Sequence, residues 1–236
     1  MAAVVSSGRF YLWVDAVGGY LVCLGDQVTI GQSGATGRVA SGAGRTADRM
    51  ADSTGTSGGN AMADGNLSCG EGPDIAILAP LSRRHAALHR SAEGYVLEPF
   101  YPVSRNGRPL REAEGLMDGD ELEIGQGVKL RFRQPHPLSL SAVLEFQGRR
   151  KTQPAIDAVV LMADSLVLGP RTHNHIVCRD WKDETVLFRR HGGLACRASG
   201  AWRVDGHPAA GPTALRGNSR VAGEDFSFSI ESASGA

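Results

Sequence analysis

A hydroxyl, two guanidinium groups and an imidazole occupy four consecutive positions of this chain, Ser82-Arg83-Arg84-His85, where a loop meets the apolar run Ala86-Ala87-Leu88. A hydroxyl donor beside guanidinium forks suits a phosphate, because hydrogen bonds from a charged donor to an oxyanion are roughly twice as strong as neutral ones. The same residue types do not make a nucleophile and base here. Ser82 lacks the G-x-S-x-G elbow and the strand–turn–helix setting that would present it for attack. No G-x-x-x-x-G-K-[ST] run offers a nucleotide cradle. The one close histidine pair, His173 and His175, has no carboxylate or cysteine in register to complete a metal site. The sequence predicts a binding protein rather than an enzyme, with no cofactor and no metal.

Composition narrows the partner. The 236 residues carry 25 basic and 25 acidic side chains, so the formal net charge is zero. A nonspecific nucleic-acid or membrane-surface binder needs a strong basic excess; any anion site is therefore local, and the expected partner is a protein or peptide. No stretch reaches the roughly 18 consecutive apolar residues that cross a bilayer, and Met1 to Arg9 lacks a signal-peptide pattern, so the cytoplasm is the expected location. Of the four cysteines, Cys23, Cys178 and Cys196 sit in apolar runs and Cys69 does not; none has zinc-ligand spacing. The three are expected as small buried hydrophobes with free thiols. Oligomeric state is left open.

The elements that must position Ser82 to His85 read as strands. Short runs of Val, Ile, Leu and aromatic residues recur between Gly, Pro, Asp and Asn, without a sustained 3.6-residue period, so the fold class is all-β. Phe10 to Asp15 and Tyr20 to Leu24 flank Val17-Gly18-Gly19, a tight hairpin. Gln27 to Gly31 is the next strand and its exit. From about 33 to 72 large apolar side chains almost vanish, which predicts a disordered loop insertion; closing so long a loop is tolerable because the cost grows only logarithmically. The strand pattern resumes at Pro73-Asp74-Ile75-Ala76-Ile77. Later, Glu121-Leu122-Glu123-Ile124 and Val128 to Arg133 alternate apolar and charged residues, as strands with one wet face do. Gln134-Pro135-His136-Pro137 breaks that pattern and divides the chain into two expected sandwiches, 1–134 and 135–236.

The second half repeats the first. Leu166 to Gly169 parallels Val28 to Gly31, His175 to Cys178 parallels Asp74 to Ile77, and Thr185 to Arg190 parallels His85 to Arg90. Asp205-Gly206 then parallels Asn106-Gly107. Landmarks recurring in one order at similar separations predict a tandem pair of β-sandwiches.

With these landmarks in place, residues 10 to 134 resemble a forkhead-associated (FHA) domain, an all-β sandwich that binds phosphothreonine peptides through loops at one end, and residues 142 to 231 resemble a degenerate second copy. The resemblance rests on Gly31 at a strand end, Ser82 with His85, Asn106-Gly107, and Gly119-Asp120 before the final strand pair. It implies a phosphothreonine-peptide binding module in bacterial-type signalling or assembly. Ser82 is then the hydroxyl that contacts phosphate and His85 a brace behind the loop. Arg83, Arg84 and Arg105 are further basic contacts, of which at most one of Arg83 and Arg84 reaches the ligand if they alternate as strand residues do. Asn106 is either the residue that grips the peptide backbone or a purely structural turn residue.

Two departures favour a second reading, a phosphate-independent scaffold. Gln32 stands where the family carries a phosphate-binding arginine, and only one Asn-Gly turn lies between Glu98 and Gly119. In the second half the Ser-x-x-His position aligns with Lys182-Asp183-Glu184-Thr185, whose acids would repel a phosphate.

Overall fold

The computed structural model describes residues 8–34, 72–136, 139–148 and 152–233. Among them there is no helix, and none long and apolar enough to cross a membrane. The 33–72 insertion lies outside the described residues from 35 to 71, and Cys69 with it.

The chain opens with the hairpin β1 (Arg9–Val14) and β2 (Gly18–Cys23), then β3 (Gln27–Gln32). Next come β4 (Ile75–Ile77), β5 (Ala86–Ser91), β6 (Gly94–Pro99), β7 (Val103–Arg105), β8 (Arg108–Leu110), β9 (Glu114–Leu116), β10 (Glu121–Ile124) and β11 (Val128–Arg133). The second half runs β12 (Ala142–Gln147), β13 (Ala158–Leu161), β14 (Ser165–Gly169), β15 (Ile176–Val177), β16 (Thr185–Arg190) and β17 (Gly193–Arg197). It closes with β18 (Trp202–Val204), β19 (His207–Ala209), β20 (Thr213–Leu215), β21 (Arg220–Ala222) and β22 (Ser227–Ser232).

These strands build two sandwiches around one shared sheet. Twelve strands hydrogen-bond in the order β19-β18-β21-β22-β1-β2-β13-β12-β11-β10-β7-β8, and two five-stranded sheets, β4-β3-β5-β6-β9 and β15-β14-β16-β17-β20, cover it. Alternation decides which core each strand feeds. On β12, Ala142 and Leu144 enter the core under β3–β6, whereas Val143 enters the other. On β2, Leu21 and Cys23 face the first core and Val22 the second, as does Leu24 just after the strand. The two five-stranded sheets therefore lie on opposite faces of the long one. Its central strands β2 and β13 pair in parallel and are buried on both faces, which is why Leu21-Val22-Cys23-Leu24 and Ala158-Val159-Val160-Leu161-Met162 are unbroken apolar runs.

Strand pairing crosses the expected division at 134/135. The N-terminal hairpin joins the second half through β1 and β22, with Leu12 opposite Ile230, while β12 joins β11 of the first half, with Leu144 opposite Phe132. Phe10, Leu12 and Val14 are at most 4% exposed, and all three lie in the second core. At about 1.5–3 kcal/mol for each large buried side chain, β1 alone supplies that core with several kcal/mol, comparable to the whole net stability of a small domain. Two sandwiches are present, but neither is made from one half of the chain. In the β1–β2 turn the positive φ falls on Ala16 and Gly18, at 59° and 154°, and not on the Gly18-Gly19 pair.

Solvent faces follow the sequence pattern. Glu121 stands opposite Arg131 and Glu123 opposite Lys129 across β10 and β11, opposite-charge pairs that favour this register. Each end of the long sheet closes on a strand with proline at its centre, Pro109 on β8 and Pro208 on β19; a missing N–H blunts the edge against pairing with another chain. Cys23, Cys178 and Cys196 are free and buried, and burial pushes each thiol up to about 12, so they are poor nucleophiles.

Candidate functional site

The Ser82 loop is organised by one imidazole. His85 is 5% exposed and precedes β5, where its backbone N–H donates to the Ile30 carbonyl (2.8 Å) and its own carbonyl accepts from Phe100 and Tyr101 N–H (3.0 and 3.1 Å). On the ring, Nδ1 accepts from the Ser82 N–H (3.4 Å) and Nε2 donates to the Pro102 carbonyl (3.0 Å). One tautomer satisfies both contacts. Pro102 O also accepts from Gly125 N–H (3.0 Å), so a single residue, through its backbone and its ring, links β3, the β4–β5 loop, the β6–β7 loop and the β10–β11 turn.

Gly31 is where two of these segments touch. A Cβ there would stand 1.9 Å from the Arg83 carbonyl oxygen and 2.9 Å from that of Ser82. Next to it, Gln32 N–H donates to Ser82 O (3.0 Å). The structure thus brings Gln32, Ser82, Arg83 and Arg84 to one end of the first sandwich, with Gly31 and His85 beneath. Arg83 and Arg84 lie in a bend, not a strand, so the strand rule that would send them to opposite sides does not apply. The Arg84 guanidinium carbon lies 4.8 Å from the Phe100 ring centroid, a cation–π contact. Ser82 Oγ and the Arg83 guanidinium have no hydrogen-bond partner among the described residues.

Arg105 and Asn106 stand elsewhere, a correction to their grouping with Ser82. Val103, at the near end of β7, pairs with Ile124 beside the site, whereas Arg105 pairs with Leu122 at the far end. Asn106 and Gly107 have φ of 52° and 76°, the two positive values of a type I′ hairpin turn. Asp120, 6% exposed, accepts there from Met117 N–H, Asn106 Nδ2 and Arg105 Nε, at 2.7, 2.7 and 2.8 Å, and Asn106 Oδ1 accepts from Glu121 N–H (2.9 Å). Asn106, Gly107, Gly119 and Asp120 make the structural turn, and Arg105 closes it.

Sequence reasoning missed Leu78, Phe100 and Tyr101. They are 51%, 39% and 51% exposed and border the Ser82 loop from β4 and from the β6–β7 connection, with Tyr101 tilted on His85 at 5.5 Å. The signal was Pro99-Phe100-Tyr101-Pro102, two aromatic residues between prolines in a segment too short to bury them. Among the described residues, no acid occurs in the segments that form this end, 32–34, 78–85, 99–102 and 125–127.

The corresponding end of the second half differs in chemistry. Leu168 pairs with Thr185 as Ile30 pairs with Ala86, so the equivalent of Ser82 to His85 is Trp181 to Glu184, one residue earlier than the sequence alignment of Lys182 to Thr185. A buried Trp181 replaces the serine and Glu184 the histidine; Arg171 and His173 approach Glu184 at 3.9 and 4.0 Å. Asp180 and Asp183 lie in the same loop, and Lys182 meets Asp225 through its backbone N–H and Glu224 through Nζ (3.6 Å).

His175, in the place of Asp74, is 3% exposed; its Nδ1 accepts from Val167 N–H (3.1 Å). Burial, then the charges of His136 and Arg133, pull its pKa down to about 4. Unfolded, it would titrate near 6.5, so between those values the unfolded chain binds the extra proton and stability falls as pH falls. Denaturant titrations from pH 7 to pH 4 should lose about 3 kcal/mol from this group, and His175→Asn should flatten that limb; an unchanged limb would show that His175 is not held neutral.

Comparison with family models, with curated proteins and with solved structures returns no match to this chain.

Proposed function

We propose that this chain is a phosphothreonine-peptide binding protein of the FHA kind, whose first sandwich reads the phosphate through Ser82 and Arg83 and which makes and breaks no bond. One observation carries the reading: a hydroxyl and a guanidinium without partners among the described residues stand at a loop end whose described segments hold two arginines, no acid, and a buried histidine locking the loop in place. A dianionic phosphate supplies the acceptors those donors lack. The second end, with Glu184 for the histidine and four further acids, takes no phosphate.

Gln32 and the Phe100–Tyr101 loop favour the competing reading, a scaffold that binds partners without phosphate. A missing charged hydrogen bond costs about 1.5–3 kcal/mol, ten-fold to over a hundred-fold in affinity. Fluorescence anisotropy of the intact protein against an oriented phosphothreonine library decides between them. Micromolar, phosphate-dependent binding that weakens at least about ten-fold in Ser82→Ala is the expected result. Equal binding of phosphorylated and unphosphorylated peptides, or none of either, would leave the scaffold.

A further inference from the structure

We propose that the half of the chain without a phosphate-type loop acts as an obligate strand donor to the half that has one, so that the two sandwiches fold and fail as one unit. The exchange is reciprocal. β12 and β13, encoded in the second half, place Ala142, Leu144, Val159 and Leu161 in the core beneath the Ser82 loop. The N-terminal β1 places Phe10, Leu12 and Val14 in the other. Remove either hairpin and one sandwich loses an inner strand with its buried face, exposing both a row of backbone donors and an apolar slot.

Polar contacts follow the same crossing. The Leu24 carbonyl, between β2 and β3, accepts from Arg90 Nη2 of the first half (3.4 Å) and Arg189 Nη1 of the second (3.3 Å). Tyr95 Oη, rooted in the first core, donates to the Leu140 and Leu161 carbonyls (2.7 and 3.1 Å). At the seam, Asp157 N–H donates to Gly19 O (2.7 Å) and Met162 N–H to Cys23 O (2.9 Å). Independent beads on a string would have none of these. The inference does not rest on phosphate binding, and its tests use no peptide.

Tryptophan placement supplies the first test. Trp181 and Trp202 lie in the second core, and Trp13, partly buried, packs against the first. In a Trp13→Phe background, Leu122→Ala, a change confined to the first core, should lower the urea midpoint read by tryptophan fluorescence and the midpoint read by far-UV circular dichroism by the same amount. Ile124→Val gives the same comparison with less damage should Leu122→Ala not fold. A fluorescence midpoint that stays in place while part of the dichroism signal is lost earlier would overturn the proposal. In the second test a protease site is inserted after His136 in the full chain, and the folded protein is cut. Fragments co-eluting at the intact size, and parting only in denaturant, are expected; fragments that separate in native buffer as two folded pieces would overturn it. Co-elution at twice the intact size would also overturn it, because hairpins would then be exchanged between copies.

Discussion

Gly31→Ala should destabilise the protein by about 3 kcal/mol or more and disorder the Ser82 loop. The added methyl would sit 1.9 Å from the Arg83 carbonyl oxygen, well inside contact distance, and that oxygen belongs to backbone. It cannot swing aside as a side chain would. Relief requires moving residues 82–84 away from β3, which breaks the bond from Gln32 N–H to Ser82 O and pulls on the Ser82 contact to His85. Gly31 has no left-handed backbone angle, so space alone sets the cost. Gly169, its counterpart on β14, is a built-in comparison. A Cβ there meets Asn174 Nδ2 at 2.5 Å and Glu184 Cγ at 2.8 Å, both side-chain atoms, and backbone no nearer than Glu184 Cα at 3.2 Å, so Gly169→Ala should cost less than Gly31→Ala, about 1–2 kcal/mol. Urea denaturation of the two variants side by side measures the difference; a Gly31→Ala protein as stable as the parent would mean that the loop does not rest on β3.

The second large effect is expected at Asp120. Replacing it with alanine removes the acceptor for three donors at once and leaves the largely buried Arg105 facing only Glu114 at 3.3 Å. Breaking a buried charge cluster by deleting one partner costs about 3–5 kcal/mol. The pH dependence identifies the mechanism. Burial opposes ionisation of Asp120, but the Met117 N–H, Asn106 and Arg105 outweigh it and hold the carboxyl below its ordinary value. A group lowered on folding stabilises above its unfolded pKa of about 3.9 and loses that contribution as pH falls through the folded value. Asp120→Ala should therefore be destabilised at neutral pH and approach the parent in acid. A deficit unchanged from pH 7 to pH 2 would mean that packing, not charge, is what Asp120 provides. Ser219 holds the same place in the second half, accepting from Arg216 N–H (2.9 Å) and donating to Asp205 (3.0 Å). With one neutral hydrogen bond at about 1 kcal/mol and one to a carboxylate at about 1.5–3 kcal/mol, and no charged side chain removed, Ser219→Ala should cost less than Asp120→Ala.

Particular residues show how far the sequence reached. Alternation in Val128 to Arg133, the turn signal of Asn106-Gly107 and the recurrence of Gly31 as Gly169 were legible because period, positive φ and close approach are local demands on residue type. By that route the all-β class was read correctly, and Gly31 and Asn106-Gly107 were matched to Gly169 and Asp205-Gly206. Arg105 was misgrouped with Ser82 because closeness in the chain says nothing about which end of a three-residue strand a side chain occupies. The one-residue slip at Glu184 has the same root, since only cross-strand register, Leu168 opposite Thr185, aligns the two loops.

Residue type and spacing alone specify the local chemistry: strands where apolar residues alternate, turns where Gly and Asn permit them, and a basic loop without acids around Ser82. Tertiary structure alone decided which half each hairpin completes. The unbroken runs at Leu21 to Leu24 and Ala158 to Met162 demand burial on two faces, but an apolar strand satisfies that demand against any matching partner. Only when the two cores assemble on opposite sides of one sheet do β2 and β13 find each other and fix the exchange.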